Sequence, residues 1–302
     1  MEGKRIVNNT KFNEKNYLYF IGDTHLSNIN CDTDFLIKTI KYIAKQSESK
    51  NVFVFLMGDL SDFISNIDDK RFDFNSVGTR YKIRDLKDFI PLQVEEIVDI
   101  FSPIKKNIVS AICGNHEEKI ILKTNNNIYC GANGYCTKLK ITPIGNVGMV
   151  QIQNLINNSH TRMTYTIAMS HGFGGGSHLP GSAINNCVRF YETMFGNIDL
   201  GVMGHMHKLC HTKRNYIEFT ESRSADKELV NTVQVHYAVS GTYLQKSLIG
   251  THNYFEGKPG GNTGIGCLEV AYQIHRKTIH RKETLVKNTV IRYLDSLESL
   301  NE

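Results

Sequence analysis

Residues 52–62 read VFVFLMGDLSD. Six consecutive apolar side chains, β-branched and aromatic among them, mark a strand buried on both faces. The run breaks at Gly58, Asp59 follows at once, and Asp62 stands three residues on. The carboxyl end of such a strand is where α/β folds gather ligands. The same pattern recurs outward along the chain. Asn16–Ile21 (NYLYFI) runs into Gly22-Asp23 and His25, and Asn107–Ile112 (NIVSAI) runs through Cys113 into Gly114-Asn115-His116-Glu117. Thr164–Met169 (TYTIAM) leads to Ser170-His171-Gly172, and Ile198–Met203 leads to Gly204-His205-Met206-His207. Five polar tips at five strand ends should converge on one site.

Between these strands the period changes. Asp34–Gln46 carries Phe35, Ile37, Ile40, Ile43 and Ala44 on or near one face. Asp85–Phe101 repeats the spacing through Leu86, Phe89, Ile90, Val94, Ile97 and Ile100, and both spacings predict helices. A further helix is expected from Glu117. Thr232–Val239 and Gly266–Ile274 read as strands with a period nearer two, which suits a more antiparallel sheet. Residues 65–84 are polar and read as an excursion. No repeat, low-complexity tract or Pro/Gly/Ser-rich linker divides the chain, so residues 1–302 read as one domain, with strands in 230–290 completing the second sheet. Strand–helix–strand units followed by hairpins predict two packed sheets flanked by helices.

Composition narrows the function classes. The formal net charge of +5 is a mild surplus, compatible with an anionic substrate and equally with none. No window approaches the ~18 apolar residues that span a bilayer, and the polar N-terminus carries no apolar secretory segment, so no membrane role is expected. The seven cysteines are odd in number and form no C-x-x-C pair. A disulfide framework is unsupported, and a cytoplasmic location fits best.

Taken singly, each polar tip is ordinary. An Asp after Gly is a turn former or a helix cap, and a lone His is usually a hydrogen-bonded core or surface residue. Together they form a ligand set of carboxylates, imidazoles and one amide. That set suits Mn²⁺, Fe, Zn²⁺ or Ni²⁺ better than Ca²⁺. His205 and His207 sit in a turn just after a strand, which can bring both toward metals, one to each ion.

The ordered blocks Asp23-x-His25, Gly58-Asp59-x-x-Asp62, Gly114-Asn115-His116-Glu117, His171 and Gly204-His205-x-His207 resemble the calcineurin-like metallophosphoesterase superfamily. The resemblance implies an α/β fold, a four-layer α/β/β/α sandwich of two mixed β-sheets flanked by helices. It implies two divalent cations, manganese foremost. Asp23, His25 and His207 would hold the first, and Asn115, His171 and His205 the second, with Asp59 bridging both. His116 would stand beside the metals as general acid, and Asp62 matches the carboxylate that commonly pairs with that histidine, although a plain turn residue is the alternative reading. Two cations ~3.5–4 Å apart need a bridging carboxylate, and a water they share loses a proton near neutral pH. The expected reaction is attack on phosphorus by that metal-bound hydroxide.

The substrate is less legible. Protein Ser/Thr phosphatases of the superfamily carry an arginine directly after the second Asp of GDxxD, where this chain has Phe63. Arg80, Lys82 and Arg84 are candidate replacements, or a solvated face. A phosphodiester in a nucleotide or nucleic acid is favoured, so a phosphodiesterase or nuclease. A phosphomonoesterase, or a non-catalytic metal-binding scaffold, is the alternative. The loop Gly172–Gly181 and short tail are similar to small metallophosphoesterases of bacteria and their phages. Gly174, Gly175, His178 and Tyr254 are candidate substrate contacts, with Lys258 near them. The remaining histidines, His211 and His236 among them, read as structural or exposed. A homodimer is the base-rate expectation.

Overall fold

The computed structural model describes residues 2–63, 74–174, 181–220, 229–245, 264–279 and 282–301. In chain order the first half holds β1 (Glu2–Thr10), β2 (Asn16–Ile21), α1 (Thr33–Ser47), β3 (Asn51–Leu56), α2 (Phe89–Phe101), β4 (Ile108–Ala111) and α3 (Asn115–Thr124). The middle holds α4 (Tyr135–Leu139), β5 (Thr142–Pro143), β6 (Val147–Ile156), β7 (Arg162–Ser170), α5 (Ser182–Met194) and β8 (Leu200–Met203). The last strands are β9 (Leu209–Thr220), β10 (Leu229–Ser240), β11 (Cys267–Ile279) and β12 (Lys282–Leu294).

These strands form two six-stranded sheets. Sheet A has the order β1-β6-β7-β8-β10-β9 and sheet B the order β12-β11-β2-β3-β4-β5. Both are mixed: β2–β3–β4–β5 and β7–β8–β10 run parallel, while β11 and β12 in one sheet and β9 in the other pair antiparallel. The continuous apolar runs follow from this burial. On β2, Leu18 and Phe20 enter the core between the sheets, whereas Tyr19 and Ile21 join the layer under α1 and α2. Phe20 stacks on Phe55 with centroids 4.9 Å apart, and Tyr165 of sheet A stacks on Tyr272 of sheet B at 4.2 Å. Each such side chain fully withdrawn from water contributes about 1.5–3 kcal/mol. The amphipathic α5 covers the outer face of sheet A through Ala183, Cys187, Val188 and Tyr191. The result is the expected four-layer α/β/β/α sandwich.

Some elements differ from their sequence reading. The helix predicted over 85–101 begins at Phe89, and Ile83–Asp88 is a 3₁₀ segment. Pro91 explains the break, since a ring without an N–H sits comfortably only in a first helical turn. Residues 230–290 divide between the sheets: β10 enters sheet A beside β8, while β11 and β12 extend sheet B. Of the expected excursion, 65–73 lie outside the described residues. Its remainder packs back on the core, with Ile29 N–H donating to Ser76 O at 2.9 Å and Gly78 N–H to Ser27 O at 2.7 Å. No helix among the described residues is long and apolar enough to cross a membrane.

Two predictions follow from the packing. A Cβ on Gly201 of β8 would lie 2.6 Å from the Tyr191 ring of α5. Gly201→Ala should therefore destabilise the protein by about 1–3 kcal/mol, read as a lower urea midpoint. His236 of β10 is buried, and burial first, then Lys213 and His211, push its ring down to about 4. Its unfolded form takes a proton below about 6.5, so its contribution to stability is lost as pH falls from about 6.5 toward 4. Unfolding midpoints measured across that range should fall less steeply in His236→Gln than in the unaltered chain.

Candidate metal centre

Parallel β2, β3 and β4 deliver their carboxyl ends to one edge of sheet B, and parallel β7 and β8 deliver theirs to the facing edge of sheet A. Glycine lets these ends touch. A Cβ on Gly58 (φ +86°) would lie 2.6 Å from Gly114 N and 2.9 Å from His171 Nδ1. One on Gly204 would lie 3.0 Å from Asp23 Oδ2. The loops after β2 and β3 continue zipping past the strands, with Asp23 N–H donating to Gly58 O at 2.9 Å and His25 N–H to Asp59 O at 3.1 Å. Five polar residues here hold left-handed backbone: Asp23 (φ +48°), His25 (+48°), Asp59 (+49°), His205 (+65°) and His207 (+52°). Such a conformation costs a side-chain-bearing residue of order 1–3 kcal/mol and persists only where its surroundings impose it.

The tips meet at the facing edges of the two sheets. Asp23, His25 and His207 present ligand atoms to one point, and Asp59, His171 and His205 to another. Asn115 joins the second group, its Oδ1 3.0 Å from His171 Nε2. Asp59 is buried, with Oδ2 3.1 Å from His171 Nε2 and Oδ1 accepting from His116 N–H at 2.9 Å. That donor lies in the first turn of α3, whose N-terminus favours a carboxylate. Asp23 reaches across the sheets: Oδ2 accepts from His205 N–H at 2.9 Å, and Oδ1 stands 3.3 Å from His207 Nε2.

Acceptor-only partners fix the ring tautomers. His25 Nδ1 must donate to Asp62 Oδ1 (2.7 Å), His171 Nδ1 to Met57 O (2.8 Å) and His205 Nε2 to Gly174 O (3.0 Å). The remaining nitrogens, His25 Nε2, His171 Nε2 and His205 Nδ1, can offer lone pairs to a cation once they carry no proton. Without a cation these crowded groups need protons in its place. His25 Nε2 faces His207 Nε2 at 3.1 Å, His171 Nε2 faces two oxygens, and the buried Asp23 Oδ1 has no hydrogen-bond partner. Burial opposes a proton on His171, but Asp59 more than offsets this and pushes the ring up to about 10. Burial likewise opposes charge on Asp59, yet His171 and His116 hold the carboxyl well below its ordinary range. A positive charge belongs where these atoms meet, and the imidazole–carboxylate–amide donor set fits divalent transition-metal ions.

Asp62 lies beside both His25 and His116. Its carboxylate accepts from His25 Nδ1 at 2.7 Å and Asn28 Nδ2 at 2.6 Å, and lies 3.9 Å from His116 Nδ1. Its main-chain oxygen is what accepts from His116 Nδ1, at 2.5 Å. The left-handed turn at Phe63 (φ +45°) swings this peptide toward the histidine, and the Phe63 ring is buried in the helix layer. Arg80, a candidate clamp, instead pairs with Glu96 and donates to Thr33 Oγ1 at 3.1 Å, while Arg84 lies 3.7 Å from Asp85. Gly174 reaches the site through its carbonyl. Gly175, His178, Tyr254 and Lys258 lie outside the described residues.

Sequence reasoning assigned no role to Glu117, which is fully buried behind Asp59. Its carboxylate accepts from the N–H groups of Asp59 and Leu60, each at 3.0 Å. Burial and the Asp59 charge push its carboxyl up to about 7. Its place in the third block was the one available signal. Groups that orient ligands typically contribute 10–100-fold to metal affinity. Glu117→Ala should weaken Mn²⁺ binding by about that factor in calorimetric titration.

The calcineurin-like phosphoesterase family model matches residues 17–209, well over half of the chain. Among solved structures, a metallophosphoesterase from Sphaerobacter thermophilus is similar at 13% identity and a TM-score of 0.32, over 92% of this chain and 89% of that one. No curated protein matches. The chain thus belongs to the calcineurin-like phosphoesterase family, metal-dependent phosphoric ester hydrolases that normally bind divalent cations.

Proposed function

We propose that this protein hydrolyses a phosphodiester, in a nucleotide or a nucleic acid, using two divalent cations, manganese foremost. The supporting observation is the convergence of imidazoles and buried carboxylates in two groups, Asp23 with His25 and His207, and Asp59 with His171 and His205. Asp23, His25 and His207 would hold one cation, and Asp59, Asn115, His171 and His205 the other. Cations there would activate a water as nucleophile and neutralise charge on the phosphoryl oxygens.

The remaining chemistry falls to this chain's own groups. Asp62 fixes the His25 ring through its carboxylate and the His116 ring through its main-chain oxygen. With Nδ1 committed there, His116 turns Nε2 toward the site, 3.9 Å from Asp59 Oδ2. From that position a protonated ring donates to the leaving oxygen as general acid. A diester suits the charge balance. A dianionic monoester asks for a cationic clamp. Among the described residues, no lysine or arginine pairs with Asp23, Asp59 or Asp62, and Phe63 occupies the position of the phosphatase arginine.

Two measurements test this. With Mn²⁺, bis-p-nitrophenyl phosphate should be hydrolysed faster than p-nitrophenyl phosphate, and Asp59→Asn should lose at least ~100-fold in kcat/KM. Equal rates for that variant and the unaltered chain would remove the catalytic reading, and a preference for the monoester would move it to phosphomonoesterase. His116→Ala should cost ~10²–10⁴-fold in kcat on a dinucleotide, and less on the p-nitrophenyl diester, whose leaving group needs no proton. An equal loss on both would remove the general-acid role.

A further inference from the structure

The two six-stranded sheets are staggered, so that sheet A runs on past the edge strand β12 of sheet B. On β9, Leu209 enters the core between the sheets, whereas Cys210 and Tyr216 face the α5 layer. The two-residue period then places His211, Lys213, Asn215 and Ile217 on the same inward face as Leu209. Pairing with β10 agrees: His211 stands opposite the core residue Ala238, Lys213 opposite His236, and Asn215 opposite Gln234. The last strand of sheet B does not extend over this face. β12 lies above β7, with Lys287 Nζ donating to Thr164 O at 2.9 Å and Tyr165 meeting Thr289 at 3.1 Å. It meets β9 where Tyr293 OH lies 2.8 Å from His211 Nδ1. Beyond that contact His211, Lys213, Asn215 and Gln234 are exposed, and Ile217 is 68% exposed.

The uncovered face has a definite chemistry. Lys213 forms no ion pair among the described residues. Its neighbour on the strand, Arg214, points to the opposite face and is neutralised by Glu192 at 3.0 Å. His236 is buried in the floor beside Lys213, its Nε2 on Gln234 Oε1 at 3.2 Å and its Nδ1 without a hydrogen-bond partner. One cationic group, Lys213, thus stands among imidazole and amide groups on a floor that ends in an exposed aliphatic side chain. The strip and the metal centre belong to one stretch of chain. β9 begins two residues after His207, and Lys213 stands six residues on, roughly 20 Å along an extended strand.

We propose that this overhanging face is a docking strip for a nucleic-acid strand whose scissile phosphate lies at the metal centre. The proposal rests on the phosphodiesterase reading and names its substrate as a polymer rather than a mononucleotide. Backbone phosphates away from the cleaved bond sit on Lys213 and His211. Asn215 and Gln234 meet sugar or base edges, and Ile217 packs against the far end.

The test is a binding titration that does not depend on turnover. The full chain loaded with Mn²⁺ is titrated into fluorescein-labelled phosphorothioate oligothymidylates of twelve and of two nucleotides, and anisotropy is followed at several salt concentrations. The twelve-mer should bind at least ~10-fold more tightly than the two-mer, because only it spans from the metals to Lys213. Lys213→Glu should lose about 10-fold on the twelve-mer and make the salt dependence shallower by ~0.7 per lost phosphate contact, while binding the two-mer as before. Arg214→Glu makes the same charge change on the opposite face and should stay within about twofold. Equal affinity of the unaltered chain and Lys213→Glu, an equal loss in both variants, or no gain from length would each overturn the proposal. Hydrolysis of bis-p-nitrophenyl phosphate is followed in parallel. Its absence from the unaltered chain would count against the phosphodiesterase reading, whereas normal hydrolysis beside length-independent binding would overturn the docking strip alone.

Discussion

Seven groups that offer electron pairs are packed into a volume closed to most of the solvent, and every other feature of the molecule serves that crowding. Left alone, Asp23 and Asp59 would repel each other, and imidazole nitrogens would face one another without a proton between them. Only a rigid frame can hold such an arrangement. Two sheets stacked over a core of Phe20, Phe55, Tyr165 and Tyr272 supply the frame. Glycines at 58, 114 and 204 remove the atoms that would keep the strand ends apart.

The same frame explains where backbone strain is found. The left-handed residues at the site alternate with neighbours turned into the interior, Thr24 between Asp23 and His25, and Met206 between His205 and His207. Inward burial of the middle residue anchors each turn, so both flanking side chains reach the site. Hydrogen bonds from outside the ligand set complete the control: Asp62, Met57 O and Gly174 O each settle which ring nitrogen carries a proton. Two of those three acceptors are main-chain atoms, which no pattern of residue types announces.

This division marks what the sequence could disclose. Strands such as Val52–Met57 are legible because burial on both faces demands unbroken apolar runs, and the polar tips are legible because each follows such a run. Strands with one wet face were harder. β1 carries Lys, Arg, Asn and Thr among its apolar residues, and no strand is legible there. Asp62 stands out in the sequence as a group near the histidines, yet its partner depends on which way one peptide turns at Phe63. Glu117 was visible as a letter in a motif, but its two hydrogen bonds to the Asp59 loop arise only when β3 and α3 are brought together.

The distribution of ligands between the layers has a mechanical consequence. Asp23, His25, Asp59 and Asn115 follow strands of sheet B, whereas His171, His205 and His207 follow strands of sheet A. Whatever cation occupies the centre acts as a rivet through both plates of the sandwich. Separating the plates would require releasing the ion, so occupancy and conformational stability become one linked equilibrium. Cellular metal supply would then influence the lifetime of the folded chain as well as its turnover.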